Sequence, residues 1–235
     1  MFNLPNLLTL LNLTSGCLAI VSVFQANPNQ AMIFFGAALI FDLLDGLAAR
    51  GLGQSSEFGV QLDSLADMVS FGVLPGVIFY ALIQKTSADV GGFFPVSFGF
   101  IYTAAAALRL AKFNLDDRQS FDFLGLNTPA AAIAIVGLYT NVSFGSCPDE
   151  LLFISINPTA VLIISFFLSA LLLIDLPMLS FKPSFKDKTR SRNQLVLIAG
   201  GVIILFIMKT CALPFLVLWY IIYSIILLLL SKIKK

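Results

Sequence analysis

Residues 29–49 read NQAMIFFGAALIFDLLDGLAA. A helix of about 20 mostly apolar residues is long enough to cross the hydrocarbon core of a bilayer. Its closing turns nevertheless carry Asp42 and Asp45. Ionisable side chains inside such a segment are costly and are kept where they do chemistry or carry ions. This stretch therefore points to a membrane-embedded helix whose last turns belong to a working site.

The rest of the chain agrees. Of its 235 residues, 58 % are hydrophobic and only 11 % are charged, and the mean hydropathy is +0.95. A soluble domain carries about 25 % charged residues, so a polytopic, all-α membrane bundle is the expected fold class. The net charge of +1 indicates no nucleic-acid partner. With no histidine in the chain, Ser-His-Asp catalysis, histidine-bound zinc and a phosphohistidine intermediate all drop out. The three cysteines, Cys17, Cys147 and Cys211, have no CxxC spacing and read as unreactive thiols. The N-terminus lacks a charged n-region and a small-residue cleavage site, so residues 6–24 read as a retained helix.

Eight segments are apolar enough to span: 6–24, 29–49, 58–83, 93–113, 128–144, 158–176, 194–209 and 212–231. Asn27-Pro28-Asn29, Gly91-Gly92, Asn127-Thr128-Pro129 and Asn157-Pro158 punctuate them, and Pro75 is expected to kink the third. An even number of spans puts both termini on one side. That side receives Arg50, Arg109, Lys112, Arg118, the basic stretch 182–192 and the C-terminal lysines, whereas Lys85 and Lys209 fall on the other. The positive-inside rule makes the first side cytoplasmic. Residues 1–235 read as one integral-membrane domain, with a catalytic part at 1–136 and additional helices at 137–235.

The second acidic pair, Asp63 and Asp67, opens the third segment. Spacings of i,i+3 and i,i+4 put each pair on one helix face, and the two segments form a hairpin, so all four aspartates meet near its cytoplasmic turn. A serine of Ser55-Ser56 can cap the returning helix. Arg50 is the one base between Asp42 and Asp67. Four carboxylates in a partly apolar site need compensation. Two divalent cations held by oxygen ligands, Mg²⁺, Mn²⁺ or Ca²⁺ in kind, would balance them and suit in-line displacement at phosphorus. A carboxylate-lined ion or proton pathway would use the same residue types. Clustering at one membrane face favours the enzyme; placement at the midplane would favour the transporter.

Written out, Asp42-x2-Asp45-Gly46-x2-Ala49-Arg50-x8-Gly59-x3-Asp63-x3-Asp67 resembles the complete signature of the CDP-alcohol phosphatidyltransferase family. The resemblance implies a membrane enzyme that moves a phosphatidyl group from CDP-diacylglycerol to an alcohol and releases CMP, with two divalent metals. It implies Asp42, Asp45, Asp63 and Asp67 as metal ligands and Asp67 also as general base. Gly46, Ala49, Arg50 and Gly59 would border the CDP moiety, with Asn6 and Thr9 as further candidates there.

Pro5-Asn6-Leu7-Leu8-Thr9-Leu10-Leu11-Asn12 with Gly16, Gln61-Leu62-Asp63-Ser64-Leu65-Ala66-Asp67, and Arg109-Leu110-Ala111-Lys112-Phe113-Asn114 are similar to the branch of that family in which L-serine is the acceptor. By that likeness Arg109, Lys112 and Asn114 are the acceptor-binding candidates, since a guanidinium can hold a carboxylate bidentately. The same chemistry with glycerol 3-phosphate or inositol phosphate as acceptor is the alternative. The family also implies a homodimer in the cytoplasmic membrane of a prokaryote, surrounded by membrane lipids. One departure stands out: Gly125-Leu126-Asn127-Thr128-Pro129 replaces the branch's Gly-Leu-Pro, which is expected to leave that loop freer.

Overall fold

The computed structural model describes residues 3–86, 97–115, 123–145, 147–148, 157–179 and 188–233. Gly91-Gly92, Arg118, Lys182, Lys186 and the last two lysines lie outside these residues. The described chain forms eight helical rods. They are α1 (Leu4–Phe24), α2 (Pro28–Gly51), the composite rod α3 (Glu57–Asp67), a π-turn (Met68–Val73) and α4 (Leu74–Thr86), then α5 (Ile101–Leu115), α6 (Thr128–Phe144), α7 (Pro158–Leu173), α8 (Lys188–Met208) and α9 (Ala212–Ile233). Five rods are long and apolar enough to cross a membrane: α1, α2, α3 with α4, α8 and α9; α6 and α7 are apolar but shorter.

The helix starts follow from capping chemistry. Asn3, Asn27, Asn127 and Asn157 each precede a helix with proline in its first turn, and each side-chain oxygen accepts from a backbone N–H of that turn. Proline fits there because its missing N–H is one the first turn leaves unbonded anyway. The helix α8 begins at Lys188, earlier than the apolar run, because hydropathy registers only the embedded part of a helix that continues into a polar region.

Near Pro75 the third rod carries a π-turn that ends two residues before the proline. A proline ring displaces the carbonyl four residues back and offers it no donor. That carbonyl belongs to Phe71, and it accepts from the Tyr102 hydroxyl at 3.2 Å; its neighbour Gly72 accepts from Thr103 Oγ1 at 3.0 Å. The cost of the irregular turn in an apolar setting is thus offset by two hydroxyls of α5.

This rod is the centre of the bundle. In its spanning window 72 % of residues are buried, against 6 % for α8. Phe71, Leu74, Ile78 and Phe79 pack with Tyr102 and Ile135 in one core. The helix α1 lies close against the π-turn because Gly16 leaves no side chain in the way of Ser70, a close approach that small residues permit in membranes. The helix α9 is seated on α6, where Gly137 faces Leu213 and Pro214.

Three features correct or extend the reading from sequence. First, Cys147 and Cys211 form a disulfide with Cα atoms 5.6 Å apart, rather than remaining unreactive thiols. The end of α6 and the start of α9 meet at one end of the bundle despite 64 residues of separation. Cys17 is free and exposed. Second, a two-residue antiparallel ladder pairs β1 (Phe123–Leu124) with β2 (Pro177–Met178). Third, the loop before α6 is held rather than freed. Gly125 takes a left-handed φ of +80°, Gly125 N–H donates to Leu176 O at 2.8 Å, Leu126 N–H donates to Leu171 O at 2.9 Å, and Asn127 caps α6. The asparagine replaces proline's rigidity with a hydrogen bond.

Candidate active site

The hairpin of α2 and α3 delivers the carboxylates. Asp42, Asp63 and Asp67 each bring one carboxylate oxygen within 4.8 Å of the others, and none of the three is exposed. The turn that returns α3 is fixed by Ser56, whose Oγ accepts from Gly59 N–H at 3.0 Å, as capping chemistry anticipates. Asp45 is not one of the three. It is buried, 5 % exposed, and accepts from Thr9 Oγ1 at 2.6 Å. Three oxygen ligands of like charge, with the buried Asp63 Oδ1 lacking any hydrogen-bond partner, form a donor set that fits a hard divalent cation such as Mg²⁺ or Mn²⁺.

Beside the cluster lies a cleft of about 170 Å³. Its walls include all six residues expected near the nucleotide, Asn6, Thr9, Gly46, Ala49, Arg50 and Gly59, together with Asp45 and Asp63. The Arg50 guanidinium folds back over Gly46, where a Cβ would stand 3.5 Å from a terminal nitrogen. A Cβ on Gly59 would come within 3.2 Å of Asn6 Oδ1. Glycine at both places leaves room for a ligand between α1 and the hairpin. Gln54 and Ser55 also line the cleft. Sequence reasoning misses them, because a polar turn residue gives no signal until its neighbours are known.

The three acceptor candidates separate. Arg109 is 7 % exposed, with Nε unpartnered and its charge within electrostatic reach of Asp67, Tyr102 and Tyr220. Lys112 instead pairs with Asp175 Oδ1 at 2.5 Å on the surface, and Asn114 Nδ2 donates to Ser64 Oγ at 2.8 Å. Spacing puts Arg109 and Lys112 on one face, and Lys112 has Asp175 as an ion-pair partner there.

One residue at the cluster has no role assigned from sequence. Asn12 Nδ2 donates to Asp67 Oδ1 at 3.2 Å. Its backbone carbonyl accepts from Ser70 Oγ at 3.1 Å, so the π-turn helps seat it. A second asparagine, following Asn6 in the same apolar helix, is the signal that could have found it.

The fold and site define a class: a helical membrane bundle with a carboxylate cluster compatible with hard metal ions next to a small polar cleft. The family described as CDP-alcohol phosphatidyltransferase matches residues 2–174, and the chain belongs to it. The match extends well past the first 136 residues, where the motifs lie. Among curated relatives, the CDP-diacylglycerol–serine O-phosphatidyltransferase of Mycobacterium leprae is 38 % identical over 152 residues, 61 % of this chain and 49 % of that protein. The Bacillus subtilis protein of that name is 34 % identical over 133 residues, 57 % of this chain and 73 % of the relative. The archaetidylserine synthase of Methanothermobacter thermautotrophicus is 33 % identical over 156 residues, 66 % of this chain and 65 % of the relative. The aligned region thus spans about half the length of the mycobacterial relative.

Proposed function

We propose that this chain transfers the phosphatidyl group of CDP-diacylglycerol to the hydroxyl of L-serine, giving phosphatidylserine and CMP. The observation that carries the reading is the convergence of every signature position on one cleft and one carboxylate cluster, with the buried Arg109 in reach of that cluster. The names of the relatives, all of which specify serine, support the choice of acceptor.

Asp42, Asp63 and Asp67 would hold divalent metal, with Asp45 as a fourth ligand of a two-ion site. When bound, such ions neutralise charge on a diphosphate and stabilise its leaving oxygen. Asn6, Thr9, Gly46, Ala49, Arg50 and Gly59 bind the CDP moiety, and Arg50 offers its guanidinium to a phosphate. Asp67 accepts the proton of the serine hydroxyl as that oxygen attacks phosphorus. The new O–P bond forms as the bond to CMP breaks, and CMP departs with the electron pair. Inversion at an isotopically chiral phosphorus supports this single displacement, and retention contradicts it.

A phosphorylated acceptor, glycerol 3-phosphate or inositol phosphate, asks for more positive charge. Lys112 is paired with Asp175, and Arg109 is the one buried base among the described residues, which favours the smaller carboxylate of serine. The cluster lies on the hairpin formed by the C-terminal half of α2 and the short α3, and this gathering of carboxylates at one hairpin favours enzyme over transporter. The distribution of bases supports a cytoplasmic active site with both termini on that side of a prokaryotic membrane, and the family likeness supports a homodimer. Purified protein supplied with CDP-diacylglycerol and Mg²⁺ or Mn²⁺ tests the reading. Serine-dependent CMP release is expected; release with glycerol 3-phosphate alone moves the assignment to that acceptor, and no release with any alcohol removes the enzyme reading.

A further inference from the structure

Two buried polar atoms have no hydrogen-bond partner: Asn12 Oδ1, on a side chain bonded to Asp67, and Arg109 Nε. Asn12 is 0 % exposed. Its orientation follows from chemistry, because a carboxylate only accepts. The amide nitrogen must therefore face Asp67, and the carbonyl oxygen must point elsewhere. Leaving a buried acceptor or donor unsatisfied costs about 1–3 kcal/mol, and more when the group is charged. Such atoms in a folded protein call for an explanation, and a ligand that completes them is one.

The two orphans are opposite in kind. Asn12 presents an acceptor, and Arg109 presents a positively charged donor. Neither residue lines the nucleotide cleft, yet one is bonded to Asp67 and the other lies in its electrostatic reach. A molecule that satisfies both carries a hydrogen-bond donor, of which an ammonium group is one, and an anion. If it is also to give a proton to Asp67, it carries a hydroxyl within a few bonds of them. A zwitterionic hydroxy amino acid has these three groups.

We propose that Asn12 and Arg109 are the two arms of the acceptor subsite, with Asn12 Oδ1 accepting from the acceptor's ammonium group and Arg109 binding its carboxylate. The inference rests on the serine-transfer reading above and adds to it a specificity residue that lies outside both the 42–67 signature and the 109–114 motif. It also gives α1 a double role. Asn6, Thr9 and Asn12 are all buried side chains of that helix; the first two line the nucleotide cleft, and the third reaches the acceptor.

The test is steady-state kinetics of the full chain in mixed micelles of CDP-diacylglycerol with Mn²⁺, comparing wild type, Asn12→Leu, the milder Asn12→Ser and Arg109→Gln. The KM for L-serine is expected to rise at least tenfold in Asn12→Leu and Arg109→Gln and severalfold in Asn12→Ser. CMP affinity, measured separately as a check of folding, is expected to stay within about twofold. Inhibition by 3-hydroxypropionate, which lacks only the ammonium group of serine, is expected to be unchanged in both Asn12 variants and weakened in Arg109→Gln. If Asn12 only orients Asp67, kcat falls and the serine KM stays within twofold, which overturns the proposal. Should Asn12→Leu fail to bind CMP, the serine KM of Asn12→Ser decides the question by the same criterion. A wild-type chain that releases no CMP with serine overturns the parent reading and this one with it. A wild type active on serine beside Asn12 variants of unchanged KM overturns this one alone.

Discussion

At one end of the bundle, side chains from α1, α2, α3 and α5 converge on three carboxylates and leave Asn12 Oδ1, Asp63 Oδ1 and Arg109 Nε without partners. At the other end, Cys147 and Cys211 tie α6 to α9 covalently, near a lysine, Lys85, that shares a cavity with Ser143 at the end of α6. The first end keeps unsatisfied polar groups and like charges close together, an arrangement that destabilises a folded chain and is tolerated where ligands complete it. The second end carries a covalent tie between two helices. A small bundle can thus keep a costly site open by concentrating constraint at the far end of the same assembly of helices.

The sharpest way to break this contrast is to remove the divalent ions that the carboxylate end is proposed to hold. Chelation is expected to reduce serine-dependent CMP release below detection, with recovery on adding Mg²⁺ or Mn²⁺; turnover that survives chelation would mean that the cluster is not a metal site. Next in size is Asp67→Asn. Loss of a general base costs about 10²- to 10⁴-fold in rate, whereas nucleotide affinity should remain measurable by equilibrium binding of CMP. Substantial residual turnover takes the base role away from Asp67.

The far end should respond in the opposite sense. Cys147→Ser or Cys211→Ser is expected to cost about 2–4 kcal/mol of stability, read as a lower thermal midpoint in detergent, while kcat and the serine KM stay within twofold. A variant that keeps its midpoint but loses turnover would erase the division of labour between the ends. The smallest expected effect is that of Lys112→Ala. An exposed ion pair contributes about 0–1 kcal/mol, so both stability and the serine KM should scarcely move. A tenfold rise in KM would return Lys112 to the acceptor site.

What is legible in sequence is what local physics decides. Apolar run lengths and the Asn-Pro caps place α2, α6 and the start of α7 within a residue or two of where they lie, because both signals are contained in the element itself. The aspartates at i,i+3 and i,i+4 are legible for the same reason, as is the serine cap of α3. The pairing of Lys112 with Asp175, the disulfide and the bond from Asn12 to Asp67 join residues 55 to 64 positions apart. No local pattern encodes them; they depend on which helices become neighbours. The π-turn lies between these cases. Pro75 announces a disturbance, but its form depends on Tyr102 and Thr103 being present to take the freed carbonyls.

The row of polar side chains on α1 has a geometric consequence. Asn6 and Asn12 are six residues apart, which in an α-helix fixes a rise of about 9 Å and an angular separation of about 120° around the axis. On the proposed reading the helix acts as a ruler whose marks are a nucleotide contact and an acceptor contact. A single residue inserted between Thr9 and Asn12 would shift the second mark by about 1.5 Å and swing it by about 100°, away from Asp67, while leaving hydropathy and every signature residue intact. If the proposed roles hold, the distance between the two substrates is written in the pitch of one helix, a property that a motif search over residues 42–67 does not read.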